Sequence, residues 1–170
     1  MSGGMELYLH MPFCVRKCAY CDFLSFPSGA ETQRMYAKRL MKDIDVMGKR
    51  YGEIPVETIF IGGGTPSVPD SALIVEIMEH VRHAFHVADG AEISMEANPG
   101  TVTREKLTDY RKAGINRLSF GLQSANDREL KLLGRIHTWA EFLESFTLAR
   151  ECGFANLNID LMSALPGQTC

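Results

Sequence analysis

Three cysteines, Cys14, Cys18 and Cys21, fall close together near the start of the chain, in the stretch HMPFCVRKCAYCDF. Their spacing is C-x3-C-x2-C, and no fourth cysteine stands beside them. A structural zinc site closes with four nitrogen or sulfur ligands, and iron–sulfur clusters also take thiolates, usually four. Three thiolates therefore leave three readings: a zinc knuckle, free thiols, or a cluster with one iron unclaimed by the protein. His10 lies four residues before Cys14, but at the end of a predicted strand. An unclaimed iron is chemically informative, because it can chelate a small molecule directly. Cys152 and Cys170 stand apart from the cluster and from each other. In a reducing compartment, clustered cysteines are metal ligands or catalytic groups more often than disulfide partners.

The elements that must position this loop alternate along the chain. Strands are expected at Glu6–His10, Val56–Gly62, Glu92–Ala97, 116–122 and 155–162, from short apolar or β-branched runs. Helices are expected at 31–51, 70–85 with Asp70 as N-cap, from Thr103 to a C′ glycine at Gly114, 127–133 and 138–152. On the first helix the apolar face is read as Met35, Leu40, Ile44 and Met47. Lys106 stands where a capping box after Thr103 would take Glu. This alternation predicts an α/β fold with a parallel sheet of right-handed βαβ units. Open doubly wound sheets and β/α barrels both fit, and both place ligands beyond the C-terminal ends of the strands. The unusual residues fall there: the cysteine loop, Gly62–Gly63–Gly64–Thr65–Pro66, Glu96, Gln123 and Asp160. The chain runs out just after the fifth strand, which predicts an exposed apolar edge there.

Composition narrows the function classes. A net charge of −3 gives no general attraction to nucleic acid or to anionic lipid. No apolar run approaches the roughly 18–20 residues of a membrane span, and the N-terminus shows no secretory signal pattern. A cytoplasmic protein is expected. A phosphate loop is not expected at the glycines, since no G-K-[ST] follows them.

C-x3-C-x2-C with an aromatic, Tyr20, before the last cysteine resembles the radical S-adenosylmethionine (SAM) superfamily. The blocks LYLHMPFCVRKCAYCDF, FIGGGTPS, MEANPGT, GINRLSFGLQS, LGRIH and NIDLM…ALPGQT are similar, in order, to the oxygen-independent coproporphyrinogen III oxidase-like family. True oxidases of that family carry a further cysteine two residues after the third, and Phe23 occupies that position here. CAYCDF together with EANPGT resembles the HemW-type heme chaperone branch.

The resemblance implies a partial (β/α) barrel truncated after about five βα units, with residues 1–170 forming an incomplete radical SAM core domain. It implies a 4Fe-4S cluster on Cys14, Cys18 and Cys21, SAM on the open iron, and heme as cargo for an acceptor protein. Contacts to SAM are implied for Tyr8, Tyr20, Gly63, Gly64, Thr65, Glu96, Gln123, Arg135 and Asp160. Arg135 is placed to clamp the methionine carboxylate. Two alternatives stand beside the chaperone: an oxidase that decarboxylates coproporphyrinogen III, and a fragment with an intact cysteine loop but no function alone. Asn98, Asn116, Arg117 and Ser119 are read as structural, His137 as a cap for the next helix, and Cys152 as a buried apolar residue. His80, His83 and His86 recur every three residues, which suits a solvated helix face better than a metal site. Where the family carries glycine before LPGQT this chain has Ala164, and a left-handed backbone there would strain the loop.

Overall fold

The computed structural model describes residues 3–168. Five strands form one parallel sheet: β1 (Met5–Met11), β2 (Val56–Gly63), β3 (Val87–Ala97), β4 (Arg117–Gln123) and β5 (Asn156–Leu161). Their spatial order is β1-β2-β3-β4-β5. A doubly wound sheet reverses direction at a switch point, and this one never does. The order therefore selects barrel-type winding from the two architectures that alternation allowed. The helices α1 (Ala30–Tyr51), α2 (Ser71–Ala84), α3 (Arg104–Lys112) and α5 (Trp139–Glu151) follow one another along a single face. The short α4 (Asp127–Leu133) sits between β4 and α5 in the chain.

Strand alternation divides the residues between the two faces. Ile59, Ile61, Ile93, Met95, Leu118 and Phe120 are buried under the helices. Their neighbours Glu96, Ser119, Gly121 and Asp160 face a cavity. β3 begins five residues before the expected Glu92, because Val87 pairs with Val56 ahead of a register shift. At the far edge β5 exposes Ile159 and Leu161, as expected for that strand.

Helix starts follow their capping residues. Asp70 accepts from the Ala72 amide, and Thr103 accepts from the Lys106 amide. Thr138 and Glu141 form a full capping box. Lys106 has a different task from the glutamate it replaces. Its half-buried ammonium donates to the carbonyls of Ser67, Val68 and Pro69 at 2.7, 3.2 and 3.0 Å. Burial lowers its pKa, and this single charge pins the loop after β2 to the start of α3.

Three expectations need correcting. On α1 the inward face runs through Ala37 and Ile44 with Leu40 partly covered, while Met35 and Met47 are exposed. The cause is close packing: a Cβ on Gly48 would lie 2.6 Å from the Ala84 Cβ, so small residues set the α1–α2 contact. His137 does not cap α5, since Thr138 does. Instead His137 is buried, with Nε2 3.3 Å from the Leu122 carbonyl and Nδ1 unpartnered. Cys152 is only partly buried.

Burial and the neighbouring Arg135 charge push the His137 pKa down from 6.5 to about 4. A base whose folded pKa is depressed favours the fold fully above its unfolded pKa. That contribution is expected to be lost as the pH falls from about 6.5 towards 4. Urea midpoints across this window should fall in the wild type, and a His137→Gln variant should show a shallower fall.

Ala164 has φ 60°, the left-handed backbone that the sequence comparison flagged. A β-carbon there costs about 1–2 kcal/mol. Ala164→Gly is expected to raise stability by about 1 kcal/mol, read as a shift in denaturation midpoint at unchanged slope.

Candidate functional site

The loop from Pro12 to Gly29 leaves the C-terminal end of β1 and carries the three cysteines. Phe13 anchors it. Its ring is fully buried, edge-on to Phe26 and to Tyr36. Backbone bonds from Cys14 N to Phe26 O and from Phe26 N to Pro12 O close the loop on itself at 3.2 and 2.9 Å. Two further bonds tie it to the turn after β2: Gly64 N to Met11 O at 2.8 Å and Thr65 N to Phe13 O at 2.7 Å. A Cβ on Gly64 would lie 2.7 Å from the Phe13 carbonyl oxygen and 2.8 Å from that of Met11. Gly63 has φ +111°, and a Cβ there would strike the His10 ring at 2.4 Å. The glycine run thus lets two strand-end loops touch backbone to backbone.

All three thiols are half-buried and free. They open into one cavity of about 750 Å³, lined also by Tyr20, Gly63, Gly64, Thr65, Glu96, Asn98, Ser119, Gln123, Arg135 and Asp160. That volume lies in the range of about 300–1,000 Å³ typical of small-molecule sites. Eleven of the twelve site residues expected from sequence meet here. Tyr8 does not. It stacks on Phe60 at 6.1 Å and reaches His10 Nδ1 at 3.1 Å, and it is exposed outside the cavity.

Side chains around the cavity hold one another. Glu96 accepts from Gly63 N at 2.9 Å through one oxygen. Burial raises its pKa, partly offset by that bond. Asp160 accepts from Ser119 Oγ at 3.1 Å and from Asn158 Nδ2 at 2.8 Å. Gln123 has φ 72° at the end of β4, a strained backbone of the kind found at functional sites. Arg135 Nη2 donates to Asn98 Oδ1 at 2.6 Å and to the Gly121 carbonyl at 2.5 Å. Arg135 Nη1 lies 3.4 Å from Tyr20 Oη and 3.7 Å from Cys18 Sγ, and Nε is buried without a partner. A bidentate carboxylate clamp by Arg135 is therefore not preformed.

Sequence reading took Asn98 and Ser119 as structural, yet both line the cavity. Their position one residue past β3 and two before Gly121 on β4 was the available signal. Asn116, by contrast, is structural as expected: its amide bridges Ile93 N and Ala91 O, both at 2.8 Å. His80 bonds Asp45 at 3.0 Å on the helix surface.

The donor set fits a cluster better than a single ion. Among the described residues, no three His, Cys, Asp or Glu side chains converge tightly enough to hold one metal ion. Zinc needs all its sulfurs at about 2.3 Å from one point. Three soft sulfur donors lining one open cavity suit an iron–sulfur group with a free coordination position.

A one-direction parallel α/β sheet with an open thiolate site at its C-terminal rim defines a partial-barrel class of cofactor-binding protein. The chain belongs to the radical SAM superfamily, whose family model matches residues 8–169. Membership implies a 4Fe-4S cluster and SAM. The heme chaperone HemW of Escherichia coli K12 is 43% identical over 166 residues, covering 97% of this chain and 44% of the relative. HemW of Bacillus subtilis 168 is 38% identical over 163 residues, covering 95% and 43%. The solved structure of coproporphyrinogen III oxidase (HemN) from E. coli, described as a radical SAM enzyme, superposes with a TM-score of 0.91. It shares 32% identity and covers 98% of this chain and 38% of that one. The chain thus spans less than half the length of the relatives it matches. Among the described residues, no helix is long and apolar enough to cross a membrane.

Proposed function

We propose that this chain is the radical SAM core of a cytoplasmic heme chaperone, which binds a 4Fe-4S cluster, SAM and heme and passes heme to an acceptor protein. One observation carries the reading: the three thiols and the strand-end polar groups share a single cavity. Cys14, Cys18 and Cys21 hold the cluster. When bound, the cluster supplies one electron to the SAM sulfonium. The remaining groups bind and orient. Glu96 keeps one carboxylate oxygen for a ligand ammonium or hydroxyl, since the other is held by Gly63. Tyr20 offers a partly exposed ring to the adenine, and Asp160 offers a carboxylate already oriented by Ser119 and Asn158. The chaperone assignment is supported by relatives named heme chaperone at 43% and 38% identity. It is supported also by Phe23 standing where the oxidases carry a fourth cysteine.

The likeness to the oxidase structure favours one second reading, decarboxylation of coproporphyrinogen III. Anaerobic reconstitution with iron and sulfide, followed by EPR with and without SAM, tests the shared core. A reduced-cluster signal that changes shape on adding SAM is expected. Heme titration and incubation with coproporphyrinogen III then separate the readings. Heme binding without porphyrin product is expected, and product formation would establish the oxidase instead.

A further inference from the structure

Asn98 lies just past β3 and touches none of the cysteines, yet it holds both side chains that do. Its Nδ2 donates to Thr65 Oγ1 at 2.9 Å, and Thr65 Oγ1 donates to Cys14 Sγ at 3.6 Å. Its Oδ1 accepts from Arg135 Nη2 at 2.6 Å, while Arg135 Nη1 donates to Cys18 Sγ at 3.7 Å. One amide therefore links two sulfur-directed hydrogen bonds that arrive from the ends of different strands.

The amide's orientation is dictated by its partners. A guanidinium has no acceptor, so Oδ1 must face Arg135, and Nδ2 is left for Thr65. A threonine hydroxyl has a single proton. Because Thr65 accepts from Asn98, that proton is free to point at Cys14. Among the described residues Thr65 Oγ1 has no other acceptor. The hub is itself fixed from below. Asn98 N donates to Ser67 Oγ at 3.2 Å, and Thr101 Oγ1 donates to the Asn98 carbonyl at 2.7 Å. Every polar group of Asn98 is engaged, which makes the network rigid.

We infer that Asn98 is a positioning residue that raises the reduction potential of the bound cluster by directing Thr65 and Arg135 at Cys14 and Cys18. This rests on the proposed cluster reading. Hydrogen bonds to cluster sulfurs stabilise the reduced, more negative state and shift its potential upward. Cys21 receives no side-chain donor among the described residues, so the field is asymmetric across the three thiolates.

Asn98→Asp is the diagnostic substitution. It preserves size and the Arg135 contact, but removes the donor to Thr65 and offers an acceptor in its place. The Thr65 hydroxyl then turns to the new carboxylate and leaves Cys14. The test is an EPR-monitored redox titration of the reconstituted protein with mediators. At the wild-type midpoint, the reduced-to-oxidised ratio of Asn98→Asp should be roughly tenfold lower, a shift of 59 mV for one electron. Thr65→Val removes the same sulfur donor without adding charge, and should lower the midpoint in the same direction. A fully loaded Asn98→Asp cluster with an unchanged or higher midpoint would overturn the inference. Because the new carboxylate also lowers the midpoint through its charge, Thr65→Val decides in every case, and an unchanged midpoint there overturns the inference. If neither variant loads, the two residues build the site rather than tune it, and the inference falls. A wild type that takes up no iron would sink the cluster reading itself, which the iron assay reveals before any titration.

Discussion

Cys18→Ser is expected to give a folded protein that holds no 4Fe-4S cluster. Serine offers a harder oxygen with a far higher pKa, and iron–sulfur clusters select soft thiolates. With only three protein ligands available, losing one leaves two corners of the cube unheld. Iron after reconstitution should fall from about four per chain to well below one, and the broad visible absorption of the cluster should vanish. The fold should survive, because Cys18 is half-buried in a surface loop and contributes nothing to the apolar core. Far-ultraviolet circular dichroism and the denaturation midpoint provide that control. Cys14→Ser and Cys21→Ser should behave alike. Wild-type iron content in any of the three would sink the three-thiolate assignment.

Gly64→Ala should cost substantial stability, because its clash is with backbone alone. The new Cβ would meet Phe13 O, Met11 O and Phe13 N at 2.7–2.8 Å. All three are backbone atoms, so no side-chain rotation relieves the clash. Overpacking of this kind costs roughly 1–3 kcal/mol. Forcing the two loops apart also breaks the Gly64–Met11 and Thr65–Phe13 backbone bonds, at about 1 kcal/mol each. A loss of about 3 kcal/mol is expected in urea denaturation, together with loss of iron uptake, since the same bonds place Cys14 against Thr65. Gly29→Ala is the control. Gly29 sits at the N-cap of α1 with φ −79° and has nothing within 4 Å of an added Cβ, so Ala there should cost only the loss of a favourable cap residue, about 1 kcal/mol or less. Equal effects of the two substitutions would mean that the close approach of the loops is wrong.

Much of the fold was legible because its signals are local. Helix starts at Asp70, Thr103 and Thr138 follow from a side-chain oxygen reaching an amide two or three residues on. The strands follow from β-branched and apolar runs of the right length. The rim location of the site follows from chemistry common to all parallel βα folds: each strand's C-terminal end delivers its loop to the same edge. Reading where the runs stop was therefore enough to collect the cysteines, the glycine turn, Glu96, Gln123 and Asp160. Ala164 was legible for a related reason, since a left-handed backbone is a property of one residue and its neighbours.

What stayed hidden depends on pairs distant in sequence. Periodicity said that α1 has an apolar face, but the Gly48–Ala84 approach decided that Met35 and Met47 lie outside it. Tyr8 stacks on Phe60, its neighbour on β2, and stays largely exposed. His137 looked like a helix cap until burial against Leu122 gave it another role. Lys106 carries no local signal, and Asn98 only its place just past β3, because each acts by joining loops that meet only when β2 and β3 are paired.

By itself, then, the amino-acid order determined which residue types could bind iron, where the capped helices begin, and which edge of the sheet collects the reactive groups. All of these are set by side-chain chemistry and by hydrogen bonds spanning a few residues. Only the tertiary structure decided the one-direction strand order, the inward face of α1 and the amide hub linking two thiols. Those are settled by which strands lie side by side, and strand pairing between distant segments leaves no mark on the spacing within either one.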